Sequence, residues 1–272
     1  MKRKAFIQKT ATLALGGILL PRWLPISINR DMRNRVQGRM AVIHNFGGGN
    51  DGLNTLIPSL YRQRYDDLRP GIGIPESEVI PLNDQNGFHP ALAPLMGLWD
   101  TGNLAVVQNI GYSDQNLSHF RSTDIWRSGT DSDEVLQTGW LARYMELLHP
   151  DQYETPPEMP LALQQASSGS LLLTGDDGVT GLIVDDPGVF SEIVGGTYDG
   201  ETDPTLPDTA GGNELGFVRQ IDILSYNYAQ VIQDAAEAGA NTVEYPQTSL
   251  GQQLAIIAQL ISGGMETPVF LT

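Results

Sequence analysis

Cysteine is absent from all 272 residues, so neither a disulfide framework nor a thiolate metal site is available. Any metal must rest on Asp, Glu, His or Asn. Lysine is missing after Lys9. Residues 1–39 hold nine Lys or Arg against the single Asp31, whereas from Met40 onward seven arginines face 31 acids, a net charge of −24. A body of that sign repels nucleic acid and anionic membrane, which excludes both as partners of the folded part. Also missing is an apolar run of the roughly 20 residues that a bilayer needs, so no integral membrane span is expected in the mature chain.

What basic charge there is sits at the front. Met1 to Lys9 form a basic head, and Thr10 to Leu20 a short apolar run that ends at Pro21. That is the pattern of an export signal. Arg3-Lys4-Ala5-Phe6-Ile7 resembles the twin-arginine pattern, with Lys4 where a second arginine is usual. The expectation is an exported protein, periplasmic or extracellular, using the twin-arginine route. No A-x-A cleavage site stands out, and without cysteine no lipoprotein anchor follows. Residues 1–39 therefore read as signal and linker, and 40–272 as one α/β domain with no second composition class.

The domain is organised around Met40-Ala41-Val42-Ile43-His44-Asn45-Phe46-Gly47-Gly48-Gly49-Asn50-Asp51-Gly52-Leu53-Asn54-Thr55. Its apolar start predicts a buried strand, and the glycines let the backbone turn and bring Asn50 and Asp51 to the strand's carboxyl end. Open α/β sheets place ligands there. With no Lys or Arg near Asp51 in the sequence, a cation is the expected occupant. Gly47, Gly49 and Gly52 also satisfy G-x-G-x-x-G, but Pro58 cuts short the helix a phosphate cradle wants, and Asp51 would repel a pyrophosphate. The plainer alternative is a glycine-rich turn in which Asp51 only caps the next segment.

Further on, Phe88 to Trp99 has apolar residues at helical spacing, closed by Gly102-Asn103, and Leu104 to Gly111 reads as a second buried strand. Together with the first strand these predict a right-handed parallel unit. Ser118-His119-Phe120 follows, with Ser118 where a helix would begin and Gly129 where it would end. A hydroxyl at that position is either an N-cap or a metal-activated nucleophile. Of the other histidines, His44, His89 and His149 read as structural, whereas His119 stands beside Ser118.

Thr138 to Leu148 predicts a helix, and Leu161 to Gln165, Leu171 to Leu173 and Gly181 to Val184 predict strands. The acidic pairs Asp176-Asp177 and Asp185-Asp186 read as turn residues. Residues 195–213 form a mobile, acid-rich loop whose Asp199, Glu201, Asp203 and Asp208 lack the D-x-D-x-D-G order of a calcium loop. Two amphipathic helices follow, one on Ile221, Leu224, Tyr228, Val231, Ile232 and Ala235, the other on Leu250, Leu254, Ile257 and Ile261, separated by Pro246. Thr267 to Thr272 reads as the start of a strand, an expectation that makes the chain a fragment of a longer reading frame.

Phe46 to Thr55 with its G-G-N-D-G-L-N core, together with Ser118-His119-Phe120 and the leader, resembles the exported proteins grouped as domain of unknown function 1501. The resemblance runs from the leader to Thr272. It implies an alkaline-phosphatase-like α/β core, mostly parallel, as in the alkaline phosphatase and sulfatase superfamily. By position it implies Asp51 as a metal ligand and Ser118 as a nucleophile at a helix N-terminus; from the residues themselves, Asn50 beside Asp51 is the expected second ligand and His119 beside Ser118 the expected catalytic partner. The metal would be zinc, manganese or calcium. Members usually continue into a G-G-x-D-T-H segment carrying further ligands, so the resemblance implies a core incomplete at its carboxyl end. Two functions stay open: an exported metal-dependent hydrolase of phosphate or sulfate esters, its substrate a small-molecule ester or an anionic glycan, and a non-catalytic exported binding or scaffold protein with the same core.

Overall fold

The computed structural model describes residues 38–166, 169–190 and 209–272. The leader, and Asp199, Glu201, Asp203 and Asp208, lie outside the described residues. The chain divides into two compact units, one of residues 46–120 and the other of residues up to 45 together with 121–272.

The larger unit is built on a four-stranded sheet in the order β1-β7-β5-β6, every pairing parallel. The strands are β1 (Ala41–Ile43), β5 (Ala162–Gln164), β6 (Leu182–Ile183) and β7 (Val269–Leu271). Successive side chains of a strand point to opposite faces, so each inner strand feeds two cores. Leu163 and Phe270 enter one, with Leu224, Tyr228, Ile232 and Ala235 of α6 (Ala210–Ala238) and Ile257 and Leu260 of α7 (Ser249–Ser262). Ala162, Val269 and Leu271 enter the other, with Leu141 and Met145 of α5 (Trp140–Leu148) and Leu172 and Leu173. Helical cover on both faces is what lets β7 read as an uninterrupted Val-Phe-Leu run. Burying a side chain such as Phe270, which has no exposed surface, contributes about 1.5–3 kcal/mol.

The sheet and helices bear out the α/β reading, and the apolar spacing of both C-terminal helices was legible, although Leu260, fully buried, lies off the expected stripe. Other expectations are corrected. Leu171–Leu173 is a 3-10 turn with Ser170 Oγ accepting from Leu172 N at 3.2 Å, because a serine cap closes the segment locally. The end of the acid-rich loop is helix: Thr209 caps α6 by accepting from Gly212 N at 3.1 Å, a threonine N-cap that the glycines after it obscured in the sequence.

The smaller unit holds α1 (Gly52–Thr55), a three-stranded antiparallel sheet, β2-β4-β3, and two further short helices. Its strands are β2 (Leu56–Ile57), β3 (Ile80–Pro81) and β4 (Gly87–Phe88). Ile57, Tyr65 of α2 (Arg62–Leu68) and Phe88 are buried, and Phe88 meets Trp99 of α3 (Met96–Asp100) edge to face at 6.3 Å. Pro94 and the short spacing turn the expected Phe88–Trp99 helix into a 3-10 turn over Pro90–Leu95 followed by α3. Leu104–Gly111 is not a strand; it runs without ladder bonds, with Asn109 at φ 56° and Val107 and Ile110 largely exposed. The expected parallel β-α-β unit is therefore not formed among the described residues.

Candidate functional site

The glycine stretch follows β1 and lies in the smaller unit. Gly48 takes φ +86°, a left-handed conformation that glycine enters freely. At Gly49 the limit is space: a β-carbon there would stand 2.6 Å from Cε1 of His119. The imidazole of the Ser118-His119 pair thus rests on the turn that carries Asn50 and Asp51. Ser118 immediately precedes α4 (His119–Ser128), and Gly129 closes that helix at φ +68°. Both ends fall where the sequence placed them. The approach to Ser118 is fixed by Asn116, whose Oδ1 accepts from Ser118 N at 2.8 Å and whose own N–H is given to Tyr112 Oη at 3.0 Å.

Asp51 has a cationic partner that the sequence did not show. Arg69, eighteen positions on, places Nη1 at 2.6 Å from its Oδ2, while Oδ1 accepts from Asn54 N at 3.3 Å as the cap of α1. The Arg69 guanidinium holds the Asp51 carboxyl below its ordinary range despite a smaller opposing effect of desolvation. The pair is anchored in a network. Arg69 also reaches Asn54 Oδ1 at 3.3 Å, Tyr65 Oη donates to that same oxygen at 2.7 Å, and Ile74 N donates to Tyr65 Oη at 2.7 Å. Asn54 Nδ2 donates to Ile72 O at 2.8 Å. Asn50 Oδ1 accepts from Thr55 Oγ1 at 2.9 Å. The expectation that no basic residue pairs with Asp51 is corrected, since the fold of α2 and the chain after it brings Arg69 back to the turn.

An open cavity of about 220 Å3 adjoins this turn, lined by Asn50, Asp51, Asn54, Thr55, His89, Ala91 and Leu92. His89 sits there with its ring turned inward on its own backbone: Nδ1 accepts from Ala91 N at 3.1 Å, which leaves the ring's proton on Nε2 in the neutral form. His44 lies in the other unit, 2.6 Å from Thr272 Oγ1. Neither His89 nor Arg69 was marked as functional by the sequence; only the spacing of the folded backbone draws them to the turn.

Asp51 and Asn50 offer one carboxylate and one amide oxygen, and each of these groups already accepts a hydrogen bond within the chain. Among the described residues no three of His, Cys, Asp and Glu converge, so these two side chains alone make a poor cage for a divalent ion, which takes several oxygen or nitrogen ligands at once.

Compared with protein-family profiles, with curated proteins and with solved structures, the chain matches none.

Proposed function

We propose that the chain is an exported, metal-dependent hydrolase of phosphate or sulfate esters, as the resemblance of its motifs implies. The observation that supports this reading best is the packing of His119 on Gly49, which joins the two motifs at one place. Ser118 Oγ attacks phosphorus or sulfur, a new O–P or O–S bond forms as the bond to the alcohol oxygen breaks, and His119 takes the hydroxyl proton and passes it to the departing alcohol oxygen. A divalent ion on Asp51 and Asn50 would neutralise the transferred group and lower the cost of the serine alkoxide. Water then releases the acid and restores the hydroxyl. The cavity of about 220 Å3 beside Asn50 and Asp51 favours a compact small-molecule ester over an anionic glycan.

The rival is a non-catalytic exported binding or scaffold protein. Its support is the engagement of both Asp51 oxygens, one by Arg69 and one by the Asn54 amide. The two readings separate in one assay of the full chain with aryl phosphate and aryl sulfate in the presence of zinc, manganese or calcium. Hydrolysis lost in Ser118→Ala supports the enzyme with Ser118 as its nucleophile; hydrolysis unchanged in that variant removes Ser118 from the chemistry, and hydrolysis absent from the parent leaves the binding protein. The leader is tested by fusing residues 1–39 to a reporter, and retention in the cytoplasm would remove export from the proposal.

A further inference from the structure

Resting on the exported part of that reading and not on the ester chemistry, we infer that Asn116 is an acceptor for N-linked glycosylation, modified on Nδ2 from a sugar donor activated as a lipid-linked diphosphate.

The motif and its setting agree. Asn116-Leu117-Ser118 has the N-x-[ST] form with a residue other than proline in the middle, and no other asparagine of the chain has Ser or Thr two positions on. Such a motif acts only from a surface loop of an exported chain. The structure supplies the loop. Residues 113–118 are a turn and irregular backbone, with Asp114 at φ 52°, and α4 begins only at His119. Asn116, Leu117 and Ser118 are all exposed, Leu117 at 90%. A transferase can therefore take hold of this stretch without opening a core.

The local geometry suits the transfer. Asn116 Oδ1 accepts from Ser118 N at 2.8 Å, an Asx turn that ties the carboxamide to the residue whose hydroxyl completes the motif. Tyr112 Oη accepts from Asn116 N at 3.0 Å and donates to Asn116 O at 3.3 Å, so the acceptor's backbone is held as well. The hydrogen bond on Oδ1 draws electron density away from Nδ2 and makes its protons easier to lose. In the transfer Nδ2 gives one proton to a base of the transferase and bonds the anomeric carbon of the sugar. The bond from that carbon to the diphosphate oxygen breaks, and the lipid diphosphate leaves with the electron pair.

The flanking residues give the glycan a task. Val107, Ile110, Leu117 and Phe120 are large apolar side chains left mostly exposed on either side of Asn116 in the chain. Exposed apolar surface invites association, and a bulky, hydrated glycan on this stretch keeps it soluble.

The test is peptide mass mapping, with fragmentation, of the full chain recovered after export from its own cells, beside Asn116→Gln, Ser118→Ala and Ser118→Thr. The expected result is a sugar mass increment on Asn116 in the parent, kept in Ser118→Thr and lost from Asn116→Gln and Ser118→Ala. An exported parent with Asn116 unmodified, or an increment on any other residue, overturns the inference and leaves export and the hydrolase reading standing. A parent retained in the cytoplasm without the increment overturns the inference together with export. Should a variant fail to fold, fragmentation of the parent peptide, which assigns the increment to one residue, decides alone.

Discussion

His119 rests on Gly49, so close that any β-carbon at position 49 would meet the imidazole edge at 2.6 Å. Because the ring is the far end of a side chain, Gly49→Ala should fold and displace the imidazole instead of breaking the turn. A displacement of about an ångström at a reacting group can cost ~100-fold in rate. The expected outcome is an unchanged far-ultraviolet spectrum, a shifted His119 ring resonance and a loss of turnover. A variant that keeps full turnover places His119 outside the chemistry.

The Tyr65 hydroxyl joins Asn54 Oδ1 and Ile74 N, both at 2.7 Å, from a residue 4% exposed. Tyr65→Phe removes both bonds; Asn54 Oδ1 keeps Arg69 Nη1 at 3.3 Å, but the part-buried Ile74 N–H loses its acceptor, which costs about 1–3 kcal/mol. Arg69→Gln, by contrast, removes an exposed pair and should cost no more than about 1 kcal/mol. Urea unfolding of the two variants compares them, and the reverse order would mean that the ion pair, not the tyrosine, holds the glycine turn to α2.

Stability should fall at both ends of the pH scale for separate reasons. The Arg69 guanidinium depresses the Asp51 pKa, so its contribution is present above the unfolded-state value and is lost as pH falls through the folded one. Burial pushes the Tyr228 hydroxyl, which donates to Pro157 O at 2.8 Å, from 10.0 up to about 12. That contribution is complete below the unfolded-state pKa and disappears as pH rises toward the folded one. Tyr153, half-buried and bonded to Glu146, is pushed the same way. Thermal melts between pH 9 and 12 should therefore decline steeply in the parent and less steeply in Tyr228→Phe; parallel curves would contradict the assignment.

How much of this was legible in the sequence follows from the range of the forces. The α5, α6 and α7 helices and strands β5, β6 and β7 were readable because apolar periodicity is a local signal. Leu104–Gly111 was misread for the same reason: its composition is that of a strand, but a strand exists only where a ladder partner is supplied, and none is supplied among the described residues. At the candidate site the turn residues Gly48 to Asp51 and the start of α4 at His119 were readable from glycine and cap chemistry. The contacts that give them meaning, His119 on Gly49 and Arg69 on Asp51, span long stretches of chain, and no local pattern announces them.

The central claim is that Ser118 is a nucleophile on a phosphate or sulfate ester. Its most direct test is acid quenching of the full chain during turnover of an aryl phosphate or aryl sulfate with manganese, followed by peptide mass mapping. The proposed hydrolase carries a phosphoryl or sulfuryl group on Ser118, absent from Ser118→Ala and depleted in Asp51→Asn. Turnover with Ser118 unmodified, modification at another residue, or neither turnover nor adduct would contradict it.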